Sequence, residues 1–98
     1  MSKFEGQSIG IFETDSLVGA IVAMDQATKT AAVTVQGVER NRLKSGACVK
    51  IRGSVSDVKA AMDAAIRTAE KYGEVTASDV IARPTEGTEV AMEMTINK

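Results

Sequence analysis

The stretch from residue 47 to residue 69, ACVKIRGSVSDVKAAMDAAIRTA, changes its hydrophobic period halfway along and so joins a strand to a helix. In its first half, apolar and polar residues alternate, which is typical of a strand with two different faces. One face carries Ala47, Val49 and Ile51. The opposite face carries Cys48, Lys50 and Arg52. The alternation therefore predicts a strand with one apolar side and one charged side.

The second half of this stretch has the spacing of an amphipathic helix. Ser54, followed three residues later by Asp57, is a capping-box pattern and predicts the helix start. Gly73 is predicted to end the helix in a left-handed conformation. The predicted buried stripe consists of Val55, Val58, Met62, Ala65, Ile66 and Ala69.

Two strands and a helix are predicted upstream. Residues 8–14, SIGIFET, place Ile9 and Ile11 on one face of a first strand. Either Asp15 or Ser16 can cap a helix that runs to about Thr30. Residues 31–40, AAVTVQGVER, form the second strand. The helix has apolar residues at helical spacing, which are predicted to be buried against the sheet, namely Leu17, Val18, Ile21, Val22 and Met24.

Downstream, a fourth strand is predicted from about Glu74 to Ala82, and Pro84 stops it. A short helix is predicted in the tail at residues 90–94. The order β-α-β-β-α-β predicts an α+β, ferredoxin-like antiparallel sheet with both main helices on one face. We expect one domain over residues 1–98, with a core at about 8–84 and a tail at 85–98. The other sheet face, which carries Thr34, Gln36, Lys50 and Arg52, is expected to be wet or an interface.

The composition excludes several classes of function. The net charge of −1 and the presence of only three aromatic residues argue against nucleic-acid binding. No apolar run approaches the ~18 residues of a membrane span. The first residues, MSKFEGQS, contain no hydrophobic signal segment, and the single cysteine cannot form an internal disulfide, so we expect a cytoplasmic protein. An apolar set dominated by Ala, Val and Ile in so short a chain favours oligomerisation.

Catalytic chemistry finds little support in the sequence. There is no histidine, the commonest general base, and no GxGxxG, GxxxxGK[ST] or HExxH motif. We therefore predict that the protein is not an enzyme and has no cofactor, metal site or catalytic residue. Cys48 has two interpretations, a small strand residue or a ligand to an iron–sulfur cluster shared between symmetry copies. Its position inside a strand favours the first.

The basic turn that precedes the third strand, at residues 42–46, also has more than one interpretation. It could be a solvated hairpin, an anion site or, if copies form a ring, the rim of a central opening. Ring symmetry would repeat its positive charges in every subunit, and such rings select anions. Its residues are Arg42, Leu43, Lys44, Ser45 and Gly46.

Four stretches together resemble the bacterial microcompartment shell proteins of the single-domain, hexamer-forming kind. They are IGIFETDSLVGAIVAMDQATKTA, VQGVERN, VKIRGSVSDVKAAMDAA and GEVTASDVIARP, in family order from about Ser8 to Pro84. The turn ERNRLKSGA departs from the short Lys-Ile-Gly-Ser-Gly-type turn of many relatives.

The resemblance implies cyclic hexamers that tile, together with other shell proteins, into the shell of a cytoplasmic microcompartment. It places Asp25, Lys29 and Arg83 at the edge between hexamers. It also places residues 42–46 around a central pore for small polar or anionic metabolites. The alternative within the same fold is a regulatory oligomer that binds a small ligand, with the basic turn gripping an anion.

Overall fold

The computed structural model describes residues 4–41 and 45–96. The elements in chain order are β1 (Ser8–Thr14), α1 (Leu17–Thr30), β2 (Thr34–Arg40), β3 (Ala47–Gly53), α2 (Val55–Ala69), β4 (Val75–Ile81) and α3 (Glu86–Ile96). The predicted β-α-β-β-α-β order and the additional C-terminal helix are confirmed. The C-terminal helix is longer than the predicted 90–94, because it begins directly after Thr85.

The four strands form one antiparallel sheet in the order β2-β3-β1-β4. The two central strands pair in register, with Ile9 opposite Arg52 and Phe12 opposite Val49. Because side chains alternate along a strand, this register gives the sheet two chemically different faces. Helices α1 and α2 pack together on the face that carries Phe12 and Val49.

The core between that sheet face and the two helices is built mainly from small side chains. Phe12 and Met62 are its larger fillers. Small residues allow the backbones of α1 and α2 to approach closely, so little volume is left to fill. The buried alanines of the two helices are Ala20, Ala23, Ala27, Ala61, Ala65 and Ala69.

The bulky residues of α1 do not all face this core. The side with the alanines is buried, whereas Val18 and Ile21 are 60% and 52% exposed. On α2, Val55 is 40% exposed, while Val58 and Met62 are buried as predicted. The predicted apolar stripes were therefore wrong at these three residues, because close helix packing selects the small side chains.

Both helix starts have the capping that the sequence predicts. Ser16, one of the two predicted caps of α1, accepts a hydrogen bond from the Gly19 amide at 3.0 Å. At α2, Ser54 Oγ accepts from the Asp57 amide at 3.2 Å and donates to the Asp57 carboxylate at 2.9 Å.

The prediction that Gly73 ends α2 in a left-handed conformation is wrong. The helix ends at Ala69, and the only described glycine with a positive φ is Gly6. Gly73 instead packs against the β1–α1 junction, where an added Cβ would lie 2.4 Å from Asp15 Oδ1. The absent side chain therefore serves a close approach of two segments, and the same Asp15 oxygen accepts a hydrogen bond from the Glu74 amide.

The second face of the sheet is covered in part by α3, so the expectation of a wet or interface surface is wrong for Lys50 and Arg52. Lys50 is 4% exposed and Arg52 is fully buried, while Thr34 remains exposed. Met92 of α3 is buried on this side. In the described part of the chain, no helix is long and apolar enough to cross a membrane.

Candidate functional site

The predicted edge residues Asp25 and Lys29 lie one turn apart near the end of α1. Lys29 Nζ is 2.6 Å from Asp25 Oδ2, and both side chains are more than half exposed. A pair with this spacing stabilises a helix only slightly, and a lysine in the last turn also interacts favourably with the helix dipole. The pair is therefore available to a neighbouring molecule at little cost to the fold.

The third predicted edge residue, Arg83, follows β4 in the short connection to α3. Its side chain is exposed, and Pro84 comes directly after it. Proline fixes its own backbone φ and restricts the residue before it, so the segment that carries Arg83 is conformationally constrained. An exposed arginine on a constrained segment is well suited to contact carbonyl groups of another molecule.

Of the predicted pore residues, Arg42, Leu43 and Lys44 lie outside the described residues. The structure does show how the turn is held at both of its ends. On one side, the Asn41 side-chain amide donates to the Thr14 carbonyl at 3.1 Å. On the other side, the Ser45 carbonyl accepts from the Leu17 amide at 2.6 Å. Both ends of the turn are thus attached to the β1–α1 junction.

Gly46 is buried at this attachment, whereas Ser45 is exposed. A Cβ added at Gly46 would lie 2.1 Å from the Thr14 carbonyl oxygen, a backbone atom that cannot easily move. Only glycine permits this approach. The end of the turn that leads into β3 is therefore packed into the fold at Gly46. Ser45, the residue before it, is exposed to solvent.

A buried polar network centred on Arg52 lies on the α3 side of the sheet. Its guanidinium donates to both carboxylate oxygens of Glu89 on α3, at 2.8 and 2.5 Å. It also donates to Gln36 on β2 at 3.1 Å and to the carbonyls of Phe4 and Gln7 at 3.1 and 3.0 Å. One side chain thus ties together β2, β3, α3 and the N-terminal segment.

The electrostatics of Glu89 follow from this geometry. The hydrogen bonds from Arg52 lower the pKa of Glu89, since they stabilise the ionised carboxylate, although partial burial acts in the opposite direction. The Arg52 guanidinium also lies 5.3 Å from the centre of the Phe4 ring. Such contacts between a cation and an aromatic face are attractive.

An open cavity of about 420 Å³ lies between α3 and the sheet. Its apolar walls include Ile11, Ala91 and Met92, and its polar lining includes Glu13, Glu39 and Lys50. Lys50 forms an ion pair with Glu39. Burial lowers the pKa of Lys50, and the negative charge of Glu13 opposes that change with a smaller effect.

Cys48 lines the same cavity and is half-buried in β3. Burial, and secondarily the charge of Glu13, raise the pKa of its thiol, so the thiolate that would bind iron is disfavoured. Across residues 4–41 and 45–96 no group of three metal-ligating side chains comes together. The geometry supports the strand-residue interpretation of Cys48.

The cavity and the Arg52 network were not predicted from the sequence. The sequence did contain a relevant feature, namely the two cations Lys50 and Arg52 on one face of a strand, which require either solvent or counter-ions. Glu39 lies on β2, which pairs directly with β3, whereas Glu89 is distant in sequence from Arg52 and only the position of α3 brings it to the sheet.

Comparison with protein families gives a match over most of the chain. Residues 8–84 match the family model described as BMC domain. Two matched proteins are named as bacterial microcompartment shell proteins. PduA of Citrobacter freundii is 43% identical over 79 residues, which are 80% of this chain and 83% of that protein. PduK of Salmonella typhimurium (strain LT2) is 36% identical over 81 residues, 83% of this chain.

This chain spans about half of PduK, 51% of its length. Among solved structures, a microcompartment protein from Desulfitobacterium hafniense DCB superimposes with a TM-score of 0.79 at 25% identity. That match covers 92% of this chain and 49% of the other. The resemblance inferred from the four sequence stretches is thereby confirmed.

Proposed function

Because the chain belongs to the BMC domain family, whose matched relatives are named shell proteins rather than enzymes, we propose that it forms hexameric rings that tile into a microcompartment shell. The names of the relatives directly support the shell role. The ring, its seam and its pore are the finer parts of the proposal. The observation that carries it is the match over residues 8–84. The proposed location is a shell in the bacterial cytoplasm, together with other shell proteins.

The described surface supports self-association. Val18 and Ile21 lie one helical turn apart on α1 and are both more than half exposed. Strands β2 and β4 each have one neighbour in the sheet, so each has one edge that no other described strand pairs with. Exposed apolar residues together with open edges favour burial against other copies.

The proposed seam between rings consists of Asp25, Lys29 and Arg83. All three are exposed, and the apolar stem of Lys29 can lie flat against an adjacent copy while its ammonium finds acceptors. Arg83 can donate several hydrogen bonds to backbone carbonyls across the seam. The intrahelical pair of Asp25 and Lys29 would fix the direction of the lysine before assembly.

The proposed pore is formed by Arg42, Leu43, Lys44, Ser45 and Gly46 of every copy. Attachment of Asn41 and Ser45 to the β1–α1 junction supports a turn whose ends are fixed. Repeated around an axis, its cations would favour small anionic or polar metabolites over apolar or cationic ones.

The test is the native mass of the purified protein together with electron microscopy of the same sample at high concentration. Hexamers that grow into sheets or tubes are expected. Lys29→Ala should keep the hexamer mass and lose the sheets, because it removes the seam contact only. Lys59→Ala removes one exposed lysine from α2 and serves as the matched control, with sheets retained.

Each contrary result contradicts a different part of the proposal. If Lys29→Ala loses the rings as well as the sheets, the assignment of Lys29 to the seam between rings is contradicted. A discrete oligomer that never forms sheets and binds a small anion saturably would favour the regulatory alternative. A monomer at all concentrations would contradict both.

A further inference from the structure

The cavity between α3 and the sheet contains the one described lysine that is withdrawn from solvent. Lys50 is 4% exposed, whereas Lys29, Lys59 and Lys71 are all exposed. Desolvation lowers the free-energy cost of deprotonating a lysine, because the charged ammonium is poorly solvated there. The neutral amine is the nucleophile in Schiff-base chemistry. The cavity volume of about 420 Å³ is within the range of small-molecule sites.

We propose that this cavity is a site at which small aliphatic aldehydes condense with Lys50 to form an imine. The apolar walls from Ile11, Ala91 and Met92 suit a short hydrocarbon chain. Glu39, the ion-pair partner of Lys50, is positioned to accept the proton that the ammonium must release before attack. The proposal does not rest on the shell function or on the number of subunits.

The reaction balances without any further reactant. The Lys50 nitrogen attacks the carbonyl carbon, the C=O electron pair moves to oxygen, and the carbinolamine that results loses water. Ammonium and aldehyde thus become a protonated imine and water, and the positive charge is retained. Glu39 takes one proton from the ammonium before attack and returns it when the carbinolamine loses water, so the protonated imine is again paired with a carboxylate. Acylation of Lys50 would instead remove the charge and leave the mostly buried Glu39 unpaired.

The other groups around the cavity favour Lys50 as the reacting residue. Besides Glu39, the titratable or charged groups among its lining residues are Glu13 on β1, Arg40 on β2 and Cys48 on β3. α3 adds no charged side chain to that lining. The raised pKa of the Cys48 thiol disfavours its thiolate, and burial lowers the pKa of Lys50. The environment therefore disfavours the thiolate of Cys48 and shifts Lys50 towards the neutral amine.

The test uses the assembled protein with butanal as the probe and cyanoborohydride to trap the imine as a butylamine. At about pH 7, where exposed lysines are almost fully protonated, initial labelling rates are read for each lysine by peptide mass spectrometry. We expect Lys50 to be labelled several-fold faster than Lys29, Lys59 and Lys71. Labelling of Lys50 that is no faster than that of these exposed lysines would overturn the proposal.

Two variants separate the cavity from general reactivity. Ala91→Phe places a ring at the cavity wall and should reduce labelling at Lys50 alone, while Ala60→Phe adds the same bulk on exposed α2 and should not. If Ala91→Phe leaves Lys50 labelling unchanged, the aldehyde does not enter by the cavity and the proposal fails. Lys50→Arg keeps the charge beside Glu39 and should remove the adduct at position 50.

Discussion

The two faces of the sheet are stabilised by different kinds of interaction. On the α1–α2 face the buried side chains are almost all apolar and many are alanines. On the α3 face Arg52 and Lys50 are buried, each beside a carboxylate from another element. The first face depends on shape and apolar area, and the second depends on the pairing of specific atoms.

This difference explains how a chain with few large apolar residues holds a third helix. Most of the apolar residues of α3 point outward, with Val90 and Met94 exposed and Met92 buried. Such a helix gains little from apolar burial alone, so Glu89 in contact with Arg52 fixes where it lies. Breaking the pairing on the α3 face should therefore cost more stability than repacking the α1–α2 face.

The largest effect is expected for Arg52→Met. Removal of a fully buried cation leaves Glu89 with 12% of its side chain exposed and no counter-ion, which costs about 3–5 kcal/mol in comparable buried pairs. The measurement is the free energy of unfolding in urea at one protein concentration. The pair Arg67–Asp63 is about 70% exposed on α2, so Arg67→Met is the matched control and should cost less than about 1 kcal/mol.

A second variant keeps this prediction interpretable. Arg52→Met combined with Glu89→Met replaces the ion pair with apolar groups and should recover part of the lost stability. Equal losses in Arg52→Met and Arg67→Met would mean that the buried pair does not distinguish the two faces.

An intermediate effect is expected from acid. The lowered pKa of Glu89 means that its stabilisation is complete above the unfolded-state pKa of about 4.3 and is lost as pH falls through the lower folded-state value. Hydrogen bonds to charged groups contribute about 1.5–3 kcal/mol, which sets the size of the loss. Urea unfolding from about pH 7 to about pH 3 measures it.

Glu89→Gln provides the reference for this pH dependence. The stability difference between wild type and Glu89→Gln should be constant above about pH 5 and should shrink below about pH 4. A difference that does not change across this range would show that Glu89 is not the group responsible.

The sequence predicted the α1–α2 face well, since strand alternation and helical spacing are local signals. Val49 and Ile51 on β3, and Val58 and Met62 on α2, are buried as expected. The errors at Val18 and Ile21 arose because periodicity marks apolar positions without saying which of them a neighbouring helix approaches closely. Tight packing of alanines leaves the bulky residues outside.

The α3 face was harder to predict because the ion pair that joins α3 to the sheet connects residues far apart in the chain. Arg52 and Glu89 are 37 positions apart, and their contact depends on where a short terminal helix lies. The alternation of Lys50 and Arg52 correctly placed both on the second face, but no local rule supplied the cover. The assembly residues Asp25, Lys29 and Arg83 came from family resemblance, and their roles remain proposals.

The smallest effect is expected for Met62→Leu on the α1–α2 face. Met62 is 3% exposed, and its Cγ would lie 2.7 Å from a Cβ added at Gly10, so it fills the space directly beneath β1. A volume-conserving apolar exchange in such a core usually costs less than about 1.5 kcal/mol, since no polar partner is left behind. Urea unfolding at the protein concentration used for Arg52→Met gives the comparison. Both substitutions put a side chain of similar size at a buried position. If Met62→Leu lowers the free energy of unfolding as much as Arg52→Met does, then shape rather than pairing determines the stability of both faces.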